Sequence, residues 1–489
     1  VNLLPQQYSL TLIQYLIPEI IIVSSACFIL ILDLFLKKGY KEVSYYLIQI
    51  SLIISIITIF ERFDYFIGLE PLSYNTEIFS TVFKIFLLVG MVVIFHYSYN
   101  FLKYFELYKT EYFILCLFAV TGMMIMSSAN DLLILYLGIE LLSLSLYTII
   151  GFNKKSIFSS EAAVKYYVLG AISSGFLLFG ISLIYGLTGT LALTEIFDFI
   201  KNIQTDSASL DLYNVGLIFS LTFILVSLAF KFGAAPFHMW IPDVYHGALI
   251  PTTLLLSTLP KIAIFIVLIK LLSSAFSNLF IFWSEMILIL SVISILIGNI
   301  IAIAQTNIKR MLAYSTIANI GFILIAISLG KQEAYEASMF YTISYVIMTM
   351  AAFGVLLLIT LNKKPIELIT DLKGLNSQHP WFAFLLLIIM LSLAGIPPLI
   401  GFHAKLSIIN VLIHGGHIWL SIFVVLMTVI GAYYYLKVIK VIYFDQGAGK
   451  IYLIPSYVLI SINTIILIVL GIFPSNLSVI SSYTIGSLF

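Results

Sequence analysis

Six lysines lie inside long apolar tracts of the sequence: Lys84, Lys165, Lys231, Lys261, Lys405 and Lys437. A cation near the middle of a bilayer costs about 2.5–3.5 kcal/mol on insertion scales. Lys84 and Lys437 lie within about two turns of predicted helix ends, so we expect them to reach the headgroups along their alkyl stems. The other sites differ in depth. Lys231, Lys261 and Lys405 are deep, which favours a functional role over a structural ion pair.

One acidic residue, Glu140, lies near the midpoint of an apolar tract, about nine residues from Asp131 and ten from Ile150. Hydrocarbon surroundings favour the protonated form of a lone carboxyl group. A nearby ammonium group, such as that of Lys231, makes a charged pair possible and couples the two titrations. With Lys231 or another ammonium group nearby, such a site can be switched between ionised and neutral forms by an approaching charge.

Prolines interrupt two of the tracts, and each interruption lies beside a deep lysine. The first tract reads LAFKFGAAPFHMWIPDVYHGA, with Lys231 before Pro236, and the second reads MLSLAGIPPLIGFHAKLSI, with Pro397 and Pro398 before Lys405. Proline removes an intrahelical hydrogen bond, and in lipid such a break is tolerated only where it is buried or lines a wet cavity. Paired interrupted helices with ionisable residues are typical of transporters built from inverted repeats.

Two histidines lie next to the same breaks. His238 follows the first break, and His403 is two residues from Lys405. Histidine titrates near neutral pH and can relay protons, but a hydrogen-bonded packing role is equally open for both. Lys165 lies at the start of its tract, and for it the functional and structural interpretations are also both open.

The composition defines the class of protein that must hold these groups. The 489 residues are 61% hydrophobic and only 10% charged, with a net charge of +1. Soluble domains carry about 25% charged residues, so the chain is predicted to be an integral membrane protein. Apolar tracts of about 20 residues indicate helices rather than a barrel. The chain has neither a basic stripe nor a polar tract, so nucleic-acid binding is not expected.

No known cofactor motif occurs in the chain. GxGxxG, P-loop and HExxH patterns are absent, so a nucleotide or zinc site of these types is not expected. Cys27 and Cys116 stand alone in apolar tracts and provide neither an iron–sulfur ligand set nor a redox pair. We predict that this chain binds no metal and no redox cofactor.

The tracts predict an all-α membrane protein with about fourteen transmembrane helices. The interrupted tracts are the seventh and twelfth, which predicts two inverted five-helix repeats (helices 4–8 and 9–13) with one broken helix each. The expected divisions are an N-terminal three-helix segment (1–110), a first repeat (111–275), a second repeat (276–445) and a C-terminal helix (446–489). Loops after odd-numbered helices hold fourteen Lys and Arg residues, against four elsewhere. The positive-inside rule then predicts that both termini lie on the outer side, in the intermembrane space or periplasm.

Four ordered segments resemble a known family. They read SSEAAVKYYVLGAISSGFLLFGISLIYG, PFHMWIPDVYHGA, QTNIKRMLAYSTIANIGF and LAGIPPLIGFHAKL. They are similar to the antiporter-like subunits of respiratory complex I and, in the core, to Mrp-type cation/proton antiporters. The similarity spans roughly residues 110–445. It matches five residues to the proton-translocating positions of the family: Glu140, Lys231, Lys261, Lys405 and Lys165, with His238 and His403 as further relay candidates.

The resemblance implies a proton-pumping module in the membrane arm of NADH:ubiquinone oxidoreductase. It implies that NADH, FMN, the iron–sulfur clusters and ubiquinone are bound by other subunits. It also implies membrane lipids and other membrane-arm subunits as partners, including the subunit 4 antiporter-like neighbour and the small subunit 4L. Lys405 stands where subunit 4 has glutamate, and no long lateral helix like that of subunit 5 follows the last tract. These two features distinguish the chain from the subunit 4 type and the subunit 5 type.

Two alternatives to this function stay open. A stand-alone secondary cation/proton antiporter uses the same buried lysines without a redox partner. A scaffold whose charges only stabilise helix contacts leaves six intramembrane lysines hard to explain. For location, richness in Ile, Phe, Tyr and Lys and the lack of an evident transit peptide favour a mitochondrially encoded protein of the mitochondrial inner membrane. A bacterial inner membrane is the alternative.

Overall fold

The computed structural model describes residues 16–36, 42–61, 78–203, 210–447, 449–455 and 457–489, and these residues are almost entirely helical. The helices are α1 Ile17–Phe35, α2 Glu42–Glu61, α3 Ile78–Tyr104, α4 Thr110–Ser128, α5 Leu132–Ile150, α6 Ile157–Thr188, α7 Leu193–Ile203, α8 Leu210–Phe232, α9 Trp240–Gly247, α10 Ile250–Ser257, α11 Leu259–Ser273, α12 Phe280–Ala304, α13 Ile308–Ile327, α14 Gln332–Leu358, α15 Leu375–Gln378, α16 Pro380–Ala394, α17 Ile400–His414, α18 Ile418–Phe444, α19 Tyr457–Ile472 and α20 Ser475–Gly486. Two 3₁₀ turns, Ser277–Leu279 and Ile369–Leu372, and three short strands complete the described elements.

The prediction of a multi-pass helical membrane protein is confirmed. Within the described residues, twelve helices are long and apolar enough to span a membrane, or thirteen if the bent pair α19–α20 is one span. The predicted count of about fourteen is higher because the twelfth tract is divided. Its helices α16 and α17 have 15 residues each, about 22 Å at 1.5 Å per residue, and neither crosses a hydrocarbon core of about 30 Å alone.

The centre of the bundle consists of α10, α11, α13 and α14, which are almost completely buried by the surrounding helices. By contrast, fewer than half of the residues in the apolar windows of α1, α6, α12 and α18 are buried. All of these helices are apolar around their circumference, because each face contacts either lipid or the protein interior, and both surroundings are apolar. Their order in the bundle therefore depends on close packing and on polar contacts rather than on an amphipathic stripe.

Glycines set two of the closest helix contacts. A Cβ atom on Gly122 of α4 would lie 2.7 Å from the carbonyl oxygen of Gly138 in α5. A Cβ atom on Gly298 of α12 would lie 2.5 Å from the backbone nitrogen of Ala318 in α13. Only glycine permits backbones to approach so closely. The two glycines are 176 residues apart in the sequence.

The same spacing relates the starts of α5 and α13. Asp131 caps α5 by accepting hydrogen bonds from two backbone N–H groups, and Asn307 caps α13 in the same way. Asp131 forms an isolated β-bridge with Ala192, and Asn307 forms one with Leu368. Both residues of the second bridge lie 176 positions after those of the first. The two stretches of chain thus contain the same local arrangements in the same order.

The two breaks are also alike. Gly233 follows α8 with φ of +95°, and Gly395 follows α16 with φ of +85°, a backbone region that side chains rarely adopt and that glycine enters without steric cost. A cis proline comes three residues after each glycine, at Pro236 and Pro398. The prolines predicted both interruptions, and the structure confirms that no continuous helix passes through either one.

A small antiparallel sheet joins the segment after α14 to the segment before α19. Its strands are β1 Ile359–Leu361, β2 Lys364–Pro365 and β3 Ile451–Leu453, in the order β2-β1-β3. Thr360 pairs with Tyr452 at the centre of the longer ladder. This sheet fixes α19 beside the long central helix α14.

Candidate functional site

Lys231 is the penultimate residue of α8 and points into the bundle. Its ammonium group donates to the hydroxyl of Ser143 in α5 at 2.6 Å and to that of Ser174 in α6 at 3.2 Å. The residue is 6% exposed. The two hydroxyl groups replace part of the hydration that the charge has lost, so three helices together hold a cation inside the protein.

Glu140 lies on the face of α5 that carries Ser143, because residues three apart in a helix are neighbours. When ionised, its carboxylate attracts the charge of Lys231 through space. However, these two side chains form no ion pair within 4.0 Å, and Glu140 Oε1 is buried without a hydrogen-bond partner among the described residues. The predicted pair is therefore separated, with Ser143 in direct contact with the ammonium group.

Lys261 closes the first break. It is the third residue of α11, and its ammonium group donates to the carbonyl oxygen of Phe232 at 2.8 Å. Phe232 is the last residue of α8 and directly follows Lys231 in the chain. The ammonium group also lies 5.2 Å from the ring centroid of Trp240. The carbonyl end of a helix carries partial negative charge and stabilises a cation there.

Lys405 closes the second break in a related way. Its ammonium group donates to the carbonyl oxygens of Leu393 at 3.1 Å and Ala394 at 2.9 Å, at the end of α16. A Cβ atom on Gly395 would lie 2.8 Å from Lys405 Cδ, so glycine leaves room for the lysine stem. The ring centroid of Phe322 is 5.7 Å from the ammonium group. Lys405 thus comes from the second half of its own broken helix, whereas Lys261 comes from a different helix.

Two further buried lysines were not predicted from the sequence. Lys309 donates to the carbonyl oxygens of His246 and Ala248 at 2.6 and 3.0 Å, at the end of α9. Lys270 donates to those of Ser127 and Ala129 at 3.2 and 2.9 Å, at the end of α4. Both lie near the ends of apolar tracts, where the sequence indicates loop residues. Their burial depends on the packing of distant helix ends and has no signal in the local sequence.

Lys165 lies in a charged cluster at the side of the first broken helix. Its ammonium group is 2.8 Å from Glu161 and 2.9 Å from Asp243 of α9. Asp243 also accepts a hydrogen bond from Arg310 at 2.9 Å. The Lys165 side chain is 43% exposed, so the structure does not bring it among the buried lysines. Asp243 was missed as a candidate, although it lies within the segment PFHMWIPDVYHGA.

The two predicted relay histidines differ in their surroundings. His238 lies in the first break, with Nδ1 buried and without a hydrogen-bond partner among the described residues. His403 lies on α17 and lines a polar surface cavity of about 450 Å³ together with Glu333 and Glu336 of α14. His403 is thus next to an outward-opening space, whereas His238 is enclosed.

The expectation that Lys84 reaches the headgroups is wrong. Lys84 and Glu19 form an ion pair at 2.7 Å, and both side chains are almost completely buried between α1 and α3. A buried acid on a neighbouring helix removes the need for the lysine to reach water. Lys437 is half-buried, and its ammonium group lies 3.4 Å from the carbonyl oxygen of Ile303, near the end of α12.

A neutral polar network occupies α13 and its neighbours. Thr316 is 176 residues after Glu140 and accepts a hydrogen bond from Tyr345 at 2.8 Å. Asn319 accepts one from Tyr341 at 2.7 Å and donates to Ser315. Because α13 packs against both α9 and α17, this network lies between the two broken helices. The second half of the chain has a hydroxyl group where the first half has a carboxylate.

Broken helices that carry buried lysines are typical of ion-translocating membrane proteins, and similarity to known proteins places the chain in this class. The family model of the NADH:quinone oxidoreductase/Mrp antiporter transmembrane region matches residues 129–431. This match covers more than half of the chain, so the chain belongs to this family.

The most similar relatives narrow the type within the family. NADH-quinone oxidoreductase subunit N of Ruthia magnifica subsp. Calyptogena magnifica is 43% identical over 462 residues, which cover 94% of this chain and 95% of the relative. Subunit N of Thioalkalivibrio sulfidiphilus is 44% identical over 470 residues, covering 94% and 96%. Subunit N corresponds to subunit 2 of complex I. The predicted family resemblance is therefore confirmed, and the lysine at Lys405 agrees with this type.

Solved structures show the same fold. A chain of respiratory complex I from Thermus thermophilus with bound aureothin has a TM-score of 0.76 and 27% identity, covering 94% of this chain and 97% of that one. A chain of the Mrp complex from Dietzia sp. DQ12-45-1b has a TM-score of 0.79 and 19% identity, covering 96% and 97%. At that identity the second likeness concerns the fold alone.

Proposed function

We propose that this chain is a proton-translocating subunit in the membrane arm of NADH–quinone oxidoreductase. The observation that carries the proposal is the set of three deep ammonium groups, Lys231, Lys261 and Lys405, each held by hydroxyl groups or by helix-end carbonyls at a broken helix. Intramembrane ionisable groups at interrupted helices are typical of ion pathways. The names of the relatives support assembly with a redox enzyme.

In this proposal, protons pass along the buried lysines while electron transfer takes place in other subunits, which bind NADH, FMN, iron–sulfur clusters and ubiquinone. Among the described residues, no group of three or more His, Cys, Asp or Glu could hold a metal ion. In this proposal the chain's own groups contribute proton binding and charge stabilisation.

The acid of the first half sets the charge of its lysine. When Glu140 is ionised, its field stabilises the protonated form of Lys231. A charge change near Glu140 weakens that attraction and favours proton release toward Lys261, whose ammonium group is bound to the next residue, Phe232. The hydroxyl and amide network around Thr316 and Asn319 then provides polar groups between this break and the break at Lys405.

Proton pumping by the assembled enzyme tests this assignment. Replacing Lys231→Met should slow proton pumping by the assembled enzyme at least about tenfold, because one proton-transfer group contributes on the order of 10²–10⁴ in rate. Lys437→Met is the matched control, since it removes a half-buried lysine outside both breaks. Unchanged pumping in the Lys231→Met enzyme would refute the assignment.

The stand-alone cation/proton antiporter is the second candidate, favoured by the matching family model, whose description includes the Mrp antiporter. Purification in mild detergent distinguishes the two. A complex I subunit co-purifies with NADH dehydrogenase activity, whereas an independent antiporter transports cations in vesicles that lack that activity.

The assembly and location follow from the same proposal. We place the chain beside the subunit 4 antiporter-like neighbour and the small subunit 4L, with both termini on the outer side of the membrane. The bacterial relatives favour a bacterial inner membrane, and the mitochondrial inner membrane stays a prediction. The matching caps, bridges and breaks support two five-helix repeats over residues 111–275 and 276–445.

A further inference from the structure

A lateral crevice separates α3 from α19, away from the lysines. Its inner part is an apolar cavity of about 230 Å³ between these helices, with α11 and α14 as its floor. Its outer part is a cavity of about 690 Å³ that α2 also lines. Leu459 lines both parts, so the two cavities are neighbours. A hydrogen bond from the Tyr97 hydroxyl to the Leu459 carbonyl oxygen joins α3 to α19 at 3.3 Å.

The inner cavity is shaped for a hydrocarbon chain. Its walls are aliphatic and aromatic, and its residues on α3 run from Phe86 to Tyr97, a rise of about 16 Å at 1.5 Å per residue. A helix of a neighbouring subunit, with a diameter of about 10–12 Å, would fill 230 Å³ with only about 2–3 Å of its length. An acyl chain is therefore a better fit than a protein segment.

One unsatisfied donor lies in the wall of this apolar cavity. Asn463 of α19 is 8% exposed, and its Nδ2 group makes no hydrogen bond within 3.5 Å among the described residues, although its side chain lies near the Tyr97 hydroxyl. A buried donor without a partner costs about 1–3 kcal/mol. An ester carbonyl oxygen at the start of an acyl chain would supply the missing acceptor.

The outer cavity has the groups that bind an ammonium headgroup. Three tyrosines, Tyr45, Tyr46 and Tyr99, line it, and tyrosine rings attract cations. Tyr45 and Tyr99 stack on each other at 4.2 Å and Lys103 lies over the Tyr99 ring, so Tyr46 is the ring available to a headgroup cation. Gln49 lines it as well, and its Oε1 is buried without a partner among the described residues. The Gln49 Nε2 group donates to Tyr45 and to the Val92 carbonyl oxygen, which fixes the amide with its acceptor free.

We propose that a phospholipid with a primary-amine headgroup, such as phosphatidylethanolamine, binds in this crevice. Its ammonium group lies among the tyrosines and donates to Gln49, an ester carbonyl accepts from Asn463, and one acyl chain fills the inner cavity. A choline headgroup has no N–H group to offer Gln49, and a glycerol headgroup has no cation for the rings. The site therefore selects the amine.

Lipid analysis of the purified protein, together with the subunits that accompany it, tests the proposal. After exchange into an equimolar mixture of phosphatidylethanolamine, phosphatidylcholine and phosphatidylglycerol, bound lipid per chain is counted by mass spectrometry. We expect about one retained phosphatidylethanolamine in the wild type. Retention of the three lipids in equal amounts, or of another headgroup in preference, would overturn the proposal.

Two adjacent residues of α19 provide a matched pair of variants. Ile466 lines the inner cavity, and its neighbour Ile465 does not, although their exposed fractions are similar, at 38% and 46%. Ile466→Trp should abolish retention of the lipid, and Ile465→Trp should leave it unchanged. Equal retention in both variants contradicts the site. If Ile466→Trp prevents assembly, Val89→Trp fills the same cavity from α3 and has the same expected result.

The headgroup is tested separately. Gln49→Leu removes the acceptor but leaves the apolar cavity intact. The preference for phosphatidylethanolamine over phosphatidylcholine should fall by about tenfold or more, the effect of losing one hydrogen bond to a charged group. An unchanged preference in this variant would show that Gln49 does not contact the headgroup and would overturn the binding mode.

Discussion

Lys261 Nζ lies 2.8 Å from the carbonyl oxygen of Phe232, the residue that follows Lys231. The side chain of Lys261 is thus bonded to the C-terminal end of α8, at the residue next to Lys231. The position of Lys261 is therefore tied to the conformation of the chain at Lys231.

This relationship predicts different effects for two buried lysines that make similar bonds. Lys261→Met should slow proton pumping per assembled enzyme at least about tenfold. Lys270→Met also removes a donor to helix-end carbonyls, but at α4, which has no break. It should reduce the amount of assembled enzyme and leave pumping per turnover unchanged. Proton uptake and enzyme content are measured on the same membranes, and equal pumping losses in both variants would contradict the distinction.

The serine contacts of Lys231 give a second prediction. Ser143→Ala removes the 2.6 Å bond to the ammonium group, and Ser174→Ala removes the 3.2 Å bond. A hydrogen bond to a charged group contributes about 1.5–3 kcal/mol, so Ser143→Ala should slow pumping by about tenfold or more. The longer bond should matter less. Ser145→Ala, on the same helix but bonded only to a backbone carbonyl, is the control. A larger effect of Ser174→Ala than of Ser143→Ala would contradict the geometry.

The ion pair between Glu19 and Lys84 predicts a strong coupling in stability. Removing one partner of a buried pair deprives the remaining charge of its bonded counter-ion and costs about 3–5 kcal/mol. Lys84→Met should therefore destabilise the protein more than the double variant Lys84→Met with Glu19→Gln. Thermal unfolding of the purified enzyme measures both, and a double-mutant cycle gives the coupling. Additive losses would show that the two charges do not depend on each other.

The neutral network predicts a selective loss at Thr316. Thr316→Val keeps the shape of the side chain but removes the hydroxyl group that accepts from Tyr345. Pumping should fall while NADH oxidation in uncoupled membranes is retained, because the network takes no part in electron transfer. Thr316→Ser retains the hydroxyl group and should retain pumping. If Thr316→Val pumps normally, the network is structural and protons reach Lys405 by another route.

The sequence predicted what depends on local chemistry. A lysine deep in an apolar tract can be recognised from the sequence, so the burial of Lys231, Lys261 and Lys405 was predicted. Prolines within a helix can be recognised in the same way, so both breaks were predicted. One contact between distant segments was suggested by the sequence, the pair of Glu140 with Lys231, and the structure separates these two groups. The other contacts between distant segments were not predicted. The burial of Lys309 depends on the end of α9, some 60 residues earlier in the chain, and no local pattern contains that distance.

The failure at Lys84 has the same origin. Its position near a helix end suggested access to water, but Glu19 on α1 removed that need. Lys165 was considered as a membrane-embedded lysine, but its side chain is exposed. Its partner Asp243 comes from the short helix after the first break. The helices of this protein have little amphipathic periodicity, so the sequence does not show which helices pack together. It therefore does not show which residues become partners of the buried charges.

The bonds of Lys405 to Leu393 and Ala394 affect whether the end of α16 stays hydrogen-bonded when the lysine changes its charge. An amine that has given up its proton still has two N–H bonds, the number needed for these two carbonyl oxygens. The end of α16 thus stays satisfied in both charge states. In the proposed pathway, Lys405 can therefore release and regain its proton without unravelling the half-helix.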